Sequence, residues 1–500
     1  MFVRNLKFWL FLFMVQQRLF ATVSIEAITF DQYGSGSLNN SGVITLGSVA
    51  NGNTVTDFRL SGTDPEGAAS GSVVAWVENG TEIKVIVFDQ LNGTGSSTGI
   101  ISLGSATAGA SVTDFRLSGD SAESNGDGAV VAWLENGANI KAIIFDQYGS
   151  GALTNTGVIS LGSATPGATV TYFQLTGNFP EDNGSGAAVA WLENGANIKA
   201  ITFDQEGSGA LTSSGVISLG SATSGAIVTG LQLTGDTPED NGSGAAVGWL
   251  ENGANIKAIT FDKNGSGTLT NSGVISVGSA TSGAVVTDFQ LKGSSPETTN
   301  GGAVVAWVEN GANIKAVTFD KNGSGTLTDS GVIALGSATS GETLTDFKLC
   351  EVNVPEESGF GAAVVWLENE ANIKAITFDK NGSGSLTSSG VISLASATPG
   401  AEITNLQITG IYPEDASNGS AIAWLEYGMN VKALTFDKNG SGALTSSGVI
   451  SLATVTLGAN VVTDFQIVGS QPQLSGHGSA IAWILAPPEE RAFKRPNNRR

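Results

Sequence analysis

The sequence predicts an all-β fold, a single eight-bladed β-propeller of four-stranded antiparallel blades, and three observations carry that prediction. A segment of the form GAAVAWLENGANIKAITFD (186–204) recurs eight times, its tryptophan standing at Trp76, Trp133, Trp191, Trp249, Trp307, Trp366, Trp424 and Trp483, with successive gaps of 57, 58, 58, 58, 59, 58 and 59 residues. An Asn-Gly dipeptide, Asn194-Gly195 in the third copy, separates two short apolar runs inside that segment. Both residues tolerate the positive φ of a type I′ turn, so the segment reads as a β-hairpin. Each copy also holds four apolar runs of strand length separated by Gly, Ser, Asn, Pro and Asp, and no helical period follows the first residues. Four strands in about 58 residues match a propeller blade, whereas a β-helix coil uses about 20 to 30 residues per repeat.

Within the third copy the runs are 170–176, 187–193, 198–204 and 215–219. The first is the innermost strand, the tryptophan run the second and the Ile-Lys-Ala run the third, with the Gly-Val-Ile-Ser run outermost. The order follows from connection lengths. An Asn-Gly turn joins only neighbours, while a segment such as GSATSGA (220–226) is long enough to cross from one blade's rim to the next blade's axis. Ala187, Ala188 and Ala190 then sit where the wedge is narrow, and the tryptophans pack between blades rather than stacking on sugars.

The repeat is out of phase with the chain ends. The first strand (25–30) is of the third type and the last (480–484) of the second type. Closing the ring therefore requires a composite blade, with 461–468 and 479–484 from the C-terminal end joined to 24–31 and 42–46 from the N-terminal end. Such a clasp removes exposed strand edges. The domain organisation expected is a signal peptide or N-terminal anchor over 1–23, the propeller over 24–486, and a disordered basic tail over 487–500.

The first segment has Arg4 and Lys7 followed by the apolar run 8–15, too short to span a bilayer but suited to a secretory signal. Cys350 is the sole cysteine, so no intramolecular disulfide is available, and a bacterial periplasmic, cell-surface or secreted location is expected. It is expected to be a buried or semi-buried inner-strand thiol. Lys plus Arg number 23 against 45 Asp plus Glu, a net charge of −22. Phosphate contacts need concentrated basic residues, so nucleic acid is excluded as a partner, and the protein is expected to be a monomer without a transmembrane span after signal cleavage.

The blade pattern Ala188-Val189-Ala190-Trp191, a short turn, then Ile198-Lys199-Ala200-Ile201-Thr202-Phe203 resembles the tryptophan-bearing β-propeller repeats of proteins exported by bacteria. The likeness runs over about 24–485. It implies the fold; propellers of similar shape serve as enzymes, lectins and scaffolds.

Candidate binding residues lie on the inner strands. Asp57, Asp114, Asp288, Asp346 and Asp464 occupy equivalent places, and Arg59, Arg116, Gln290, Lys348 and Gln466 follow two residues later. Alternation would put each pair on one side and Phe58, Phe115, Phe289, Phe347 and Phe465 on the other, so that the polar set approaches the channel. Tyr172, Gly230 and Asn405 interrupt that ring of charge.

Weak calcium candidates follow the third strand: Asp262 with Asn264, Asp320 with Asn322, Asp379 with Asn381, and Asp437 with Asn439, each in a D-x-N-x-S-G sequence. Calcium wants six to eight oxygens, and the twelfth position, where a bidentate Glu would stand, is Gly273 in the first of these. A local Asp turn is the alternative. The loops entering the Trp strand, such as Pro180-Glu181-Asp182 and Pro413-Glu414-Asp415, are expected on the same face as these turns as solvated loop tips, making it acidic. The sole histidine, His477, has no evident nucleophile beside it. The expectation is a non-catalytic binding or interaction scaffold for a protein or glycan, with a polysaccharide-acting enzyme or a purely structural envelope protein as alternatives.

Overall fold

The computed structural model describes residues 23–486 apart from 33–37, 68–69, 92–93, 123–126, 148–151, 183, 206–210, 241, 264–268, 299–300, 322–326, 351, 354, 356–359, 381–385, 416–417, 439–443, 456–460 and 475–476. The expected signal segment and basic tail thus lie outside the described residues, except for Val23. Within them the chain forms strands only, gathered into eight antiparallel sheets. Blades 1 to 7 comprise 55–105, 112–163, 170–221, 228–279, 286–337, 344–396 and 403–454. Each inner strand packs on those of both neighbouring blades, and the inner strand Val461–Gln471 packs on Val55–Ser61, which closes the ring.

Blade 8 is the composite expected from the repeat phase. Strand Gly478–Ala486 pairs on one side with Val461–Gln471 and on the other with Val23–Gln32, with Ile28 opposite Ile481 and Ile25 opposite Ile484. Two ends of one chain therefore share a sheet.

Each blade begins with an inner strand, Val170–Phe179 in blade 3, followed by the Trp strand Gly186–Glu193 and the third strand Asn197–Gln205. The hairpin between the last two turns as the dipeptide predicts: Asn194 and Gly195 have φ of 54° and 69°, and Ala196 N–H donates to Glu193 O. The asparagine also has a tertiary role, since Asn194 Oδ1 accepts from Thr169 N at 3.0 Å on the connection arriving from blade 2.

The outermost strand differs from the expectation. It is split into Leu211–Ser213, which pairs with the end of the third strand, and Ile217–Ser221, which pairs with its beginning. The first piece lay in what the sequence marks as a connection. Gly215 at φ 69° sits between the pieces, and Ser214 Oγ satisfies Thr202 N at 3.0 Å across the gap.

All eight tryptophans are fully buried between blades, alongside Ala187, Ala188 and Ala190. Cys350 is buried as well, its Sγ accepting from Ala363 N at 3.1 Å. Tryptophan and these alanines share the second strand, so each interface between blades there packs one large aromatic among small side chains.

Candidate functional site

The inner strands end at a cavity of about 740 Å³ on the ring's axis, to which all eight blades contribute. Its shape follows from a second irregularity in the inner strands of blades 2, 3, 4, 5, 7 and 8. In blade 3, Thr176 pairs with Ala188 and Phe179 with Gly186, so Gly177 and Asn178 bulge opposite one residue. A Cβ at Gly177, whose φ is 125°, would lie 2.6 Å from Ala187 Cα, so only glycine fits. The residue before it reaches the next blade: Ser118 Oγ donates to Gly177 O at 2.9 Å, Thr176 Oγ1 to Gly235 O at 2.7 Å and Thr234 Oγ1 to Gly293 O at 2.7 Å. These bonds fix the wall of the cavity blade by blade.

The wall is not symmetric in charge. Blades 1, 2 and 4 bring Asp64, Asp120 and Asp236, and blade 5 brings Lys292. Burial, reinforced by the charges of Asp236, Asp64 and Asp127, pushes the Asp120 carboxyl up to about 8. Asp64 is held by Ser470 Oγ at 3.0 Å and lies 2.8 Å from His477 Nδ1. Sequence reading missed these residues because the bulge that carries Asp120 and Asp236 is set by backbone register, which residue type hardly reveals, and Asp64 lies beyond the end of its strand.

The polar set proposed from the sequence lies toward the other end of the same strands. None of Asp57, Asp114, Asp288, Asp346, Asp464, Arg59, Arg116 and Lys348 lines the cavity. The strict alternation used to place them is interrupted: Thr56 pairs with Val77 and Arg59 with Ala75, leaving Asp57 and Phe58 opposite Trp76. Asp57, Asp114, Asp346 and Asp464 consequently have φ of 54°, 50°, 48° and 49°, as do Tyr172 and Asn405 at 54°. Asp, Asn and Gly accept this left-handed backbone most readily, which supplies a conformational reason for their recurrence. Asp288 lacks it, because in blade 5 the register shift falls between Val286 and Asp288. The phenylalanines are buried as expected.

Charges in this set nevertheless interact. Burial raises the Asp114 carboxyl, with Arg116 opposing and Asp57 adding to the rise, while burial and the nearby Arg59 lower Arg116. Burial likewise raises Asp288, with Lys348 opposing and Asp346 adding. Arg59 and Arg116 each donate to their own strand, to Phe58 O and Phe115 O at 2.9 Å. In place of Arg, Gln466 stitches the closing seam, donating to Phe58 O and accepting from Leu60 N at 2.9 Å.

Of the calcium candidates, Asn264, Asn322, Asn381 and Asn439 lie outside the described residues. Asp262, Asp320, Asp379 and Asp437 accept from the hydroxyls of Thr270, Thr328, Thr387 and Thr445. Asp146 and Asp204, which lack the Asn, accept from Thr154 and Thr212 in the same way. This shared contact ties the third strand to the short outer piece. Among the described residues, no three His, Cys, Asp or Glu side chains form a metal-holding group.

The loops entering the Trp strand do share a face with the ends of the third strands: Gln205 N donates to Pro180 O and Lys438 N to Pro413 O. Among the described residues, the loops of blades 1, 3, 4, 5, 7 and 8 also cross to the preceding blade. Glu66 N donates to His477 O, Glu181 N to Asp127 O, Glu239 N to Ser185 O, and Gln473 N to Asn418 O. Glu239, Glu297 and Glu414 are buried there rather than solvated, which the sequence expectation of exposed acidic loop tips did not capture.

No helix among the described residues is long and apolar enough to cross a membrane. No family model matches the chain and no curated protein matches it. Among solved structures, the WD40 domain of SCAP from fission yeast is similar at 8% identity over 82% of this chain and 89% of its own, with a TM-score of 0.43. A putative 6-phosphogluconolactonase from Bacteroides fragilis is similar at 15% identity over 86% and 96%, TM-score 0.36. The SapL1 lectin in complex with alpha methyl fucoside is similar at 13% over 69% and 96%, TM-score 0.31.

Proposed function

We propose that this propeller is an exported binding scaffold that seats a polar ligand, a glycan or a side chain of a partner protein, in the axial cavity at a bacterial surface or in the periplasm. The observation that carries this reading is the cavity itself. It is about 740 Å³, a size suited to a small ligand, and all eight blades contribute to its wall, with carboxylates on blades 1, 2 and 4 and Lys292 on blade 5. Repetition alone would give eight equal positions, so this departure from symmetry supplies orientation. Export is supported by Arg4, Lys7 and the apolar run 8–15.

The test is a glycan array and an envelope-protein pull-down run with the protein and with Asp120→Asn/Asp236→Asn. Ligands retained by the parent and lost by the variant support the reading. Ligands held equally by both, or none at all, count against it.

One observation favours a second reading. Asp120 keeps its proton near neutrality in a cavity shared with Asp64 and Asp236, a pairing suited to a general acid with a carboxylate partner. Release of reducing ends from polysaccharides by the parent protein, abolished in Asp120→Asn, would replace the scaffold reading by this one.

A further inference from the structure

One position of the repeat carries opposite chemistries on opposite sides of the axial cavity. In blade 2, Ser118 pairs with Val130 and Ser121 with Gly128, so Gly119 and Asp120 bulge. Gly235 and Asp236 bulge in the same way in blade 4, between Thr234 opposite Ala246 and Thr237 opposite Gly244. In blade 7 the bulge is Gly410 and Ile411, between Thr409 opposite Ala421 and Tyr412 opposite Gly419. Asp120, Asp236 and Ile411 are therefore the same bulge residue on three blades, and all three line the cavity. The backbone they share does not dictate a carboxylate on two blades and an isoleucine on the third.

The residue before the bulge glycine points the same way. Ser61, Ser118, Thr176, Thr234 and Thr409 each donate a hydroxyl to the next blade, to the carbonyls of Gly119, Gly177, Gly235, Gly293 and Gly469. In blade 8 that residue is Val468, which has no hydroxyl to give. Val468 joins Val352 of blade 6 and Ile408 and Ile411 of blade 7 in an apolar wall over three successive blades. Ile408, Ile411 and Val468 are only half-buried, so their side chains leave apolar surface toward the cavity. In a ring of eight, blades 6 to 8 face blades 2 to 4, which puts this wall across the axis from Asp120 and Asp236.

The carboxylate side holds an unmet acceptor. Asp120 Oδ1 is buried and has no hydrogen-bond donor, although buried polar atoms are ordinarily paired. Asp64, Asp127 and Asp236 stand near it, and Lys292 on blade 5 is the one cation among the wall residues.

We propose that the ligand of this cavity is a small organic amine, whose ammonium group donates to Asp120 while its apolar body lies against Ile408, Ile411 and Val468. The assignment rests on the reading of the cavity as the binding site and narrows it to one chemical class. An ammonium group supplies the donor that Asp120 Oδ1 lacks and offsets the charges of Asp64 and Asp236. A neutral sugar leaves the isoleucine wall unused, and an anion is repelled by the carboxylates. Binding is also linked to protons. Burial, with the charges of Asp236, Asp64 and Asp127, holds the Asp120 carboxyl at about 8, whereas an alkylamine keeps its proton to about 10. The ionised carboxylate that pairs with the ammonium group thus grows more abundant from pH 6 to pH 8, and affinity rises with it.

The test is isothermal titration calorimetry of the full chain with three probes of one shape, 4-phenylbutylamine, 4-phenylbutanol and 4-phenylbutyrate, at pH 6 and pH 8. The parent protein is compared with Asp120→Asn and Ile411→Ser. The expected result at pH 8 is that the amine binds the parent at least about tenfold more tightly than the alcohol, that the acid does not bind, and that the amine weakens severalfold at pH 6. Asp120→Asn should lose most of the preference for amine over alcohol and the pH dependence, while Ile411→Ser should weaken both probes alike. Equal binding of amine and alcohol, no binding of the amine, or an unchanged preference in Asp120→Asn overturns the proposal. Should a variant not fold, the ranking of the three probes on the parent decides. Glycans or proteins without an amine that are retained by the parent and lost in Asp120→Asn/Asp236→Asn leave the cavity as the binding site and overturn the amine alone; a parent that retains nothing overturns both.

Discussion

Trp191 donates its indole Nε1–H to Glu193 Oε1 at 3.1 Å, and the same carboxylate takes the backbone N–H and the hydroxyl of Thr165 at 3.1 and 2.8 Å. The tryptophan that wedges two blades is thereby tied to the connection that brings the chain from one blade to the next. Trp249, Trp307 and Trp366 repeat the arrangement with Glu251, Glu309 and Glu368. Trp191→Ala should lose about 3 to 5 kcal/mol of stability through the cavity left behind, and Trp191→Phe should lose less. Urea denaturation with an unchanged slope is the measurement.

The same carboxylates set a limit at acid pH. Burial alone would raise Glu309, but bonds from Thr281, Trp307 and Lys315 outweigh it and hold the carboxyl below its ordinary 4.5. A depressed group contributes stability that is present above its unfolded value and is lost as pH falls through its folded value. Melting temperatures recorded from pH 6 down to pH 3 should therefore fall, and Glu309→Gln should show a shallower fall from a lower starting point.

Left-handed backbone at side chains that disfavour it should be relieved by substitution. Tyr172 at φ 54° stands where other blades have Asp, Asn or Gly, and Glu370 at φ 55° stands where other hairpins have Gly. Tyr172→Asn and Glu370→Gly should each stabilise by up to about 1 kcal/mol. Differential scanning calorimetry should show a higher Tm for each variant.

The opposite change should be costly in the seams. A Cβ at Gly186, with φ of 59°, would lie 2.8 Å from Phe203 O and 2.9 Å from Glu239 Cγ. Gly186→Ala should lose about 1 to 2 kcal/mol from the backbone conformation alone, and more from displacing Glu239 and Lys263. Denaturant midpoints of Gly186→Ala and of Gly195→Ala, which meets nothing within 4 Å, separate the two costs.

What the sequence made legible was whatever its period and local turn chemistry control. The Trp hairpin, the count of eight and the composite blade all follow from the spacing of Trp191 and its equivalents and from the phase of the two ends. Leu211–Ser213 escaped because a three-residue strand among Gly and Ser shows no alternation. The bulge that sets Asp57 and Phe58 opposite Trp76 escaped because it breaks an alternation that residue type alone implies. Asp64, Asp120 and Asp236 come from separate blades to line one axial cavity, a relation of which a single repeat carries no mark.

Ring closure by both chain ends is tested most directly by a cross-link between Val23–Gln32 and Gly478–Ala486, where Ser24 stands opposite Leu485. Directly paired antiparallel residues have Cα atoms about 4.5 to 5.5 Å apart, within reach of a disulfide. Ser24→Cys/Leu485→Cys in a Cys350→Ser background should oxidise to a monomeric species that migrates faster without reductant and unfolds at higher denaturant than its reduced form. Failure to cross-link, or linkage only between molecules, would contradict a ring closed by its own two ends.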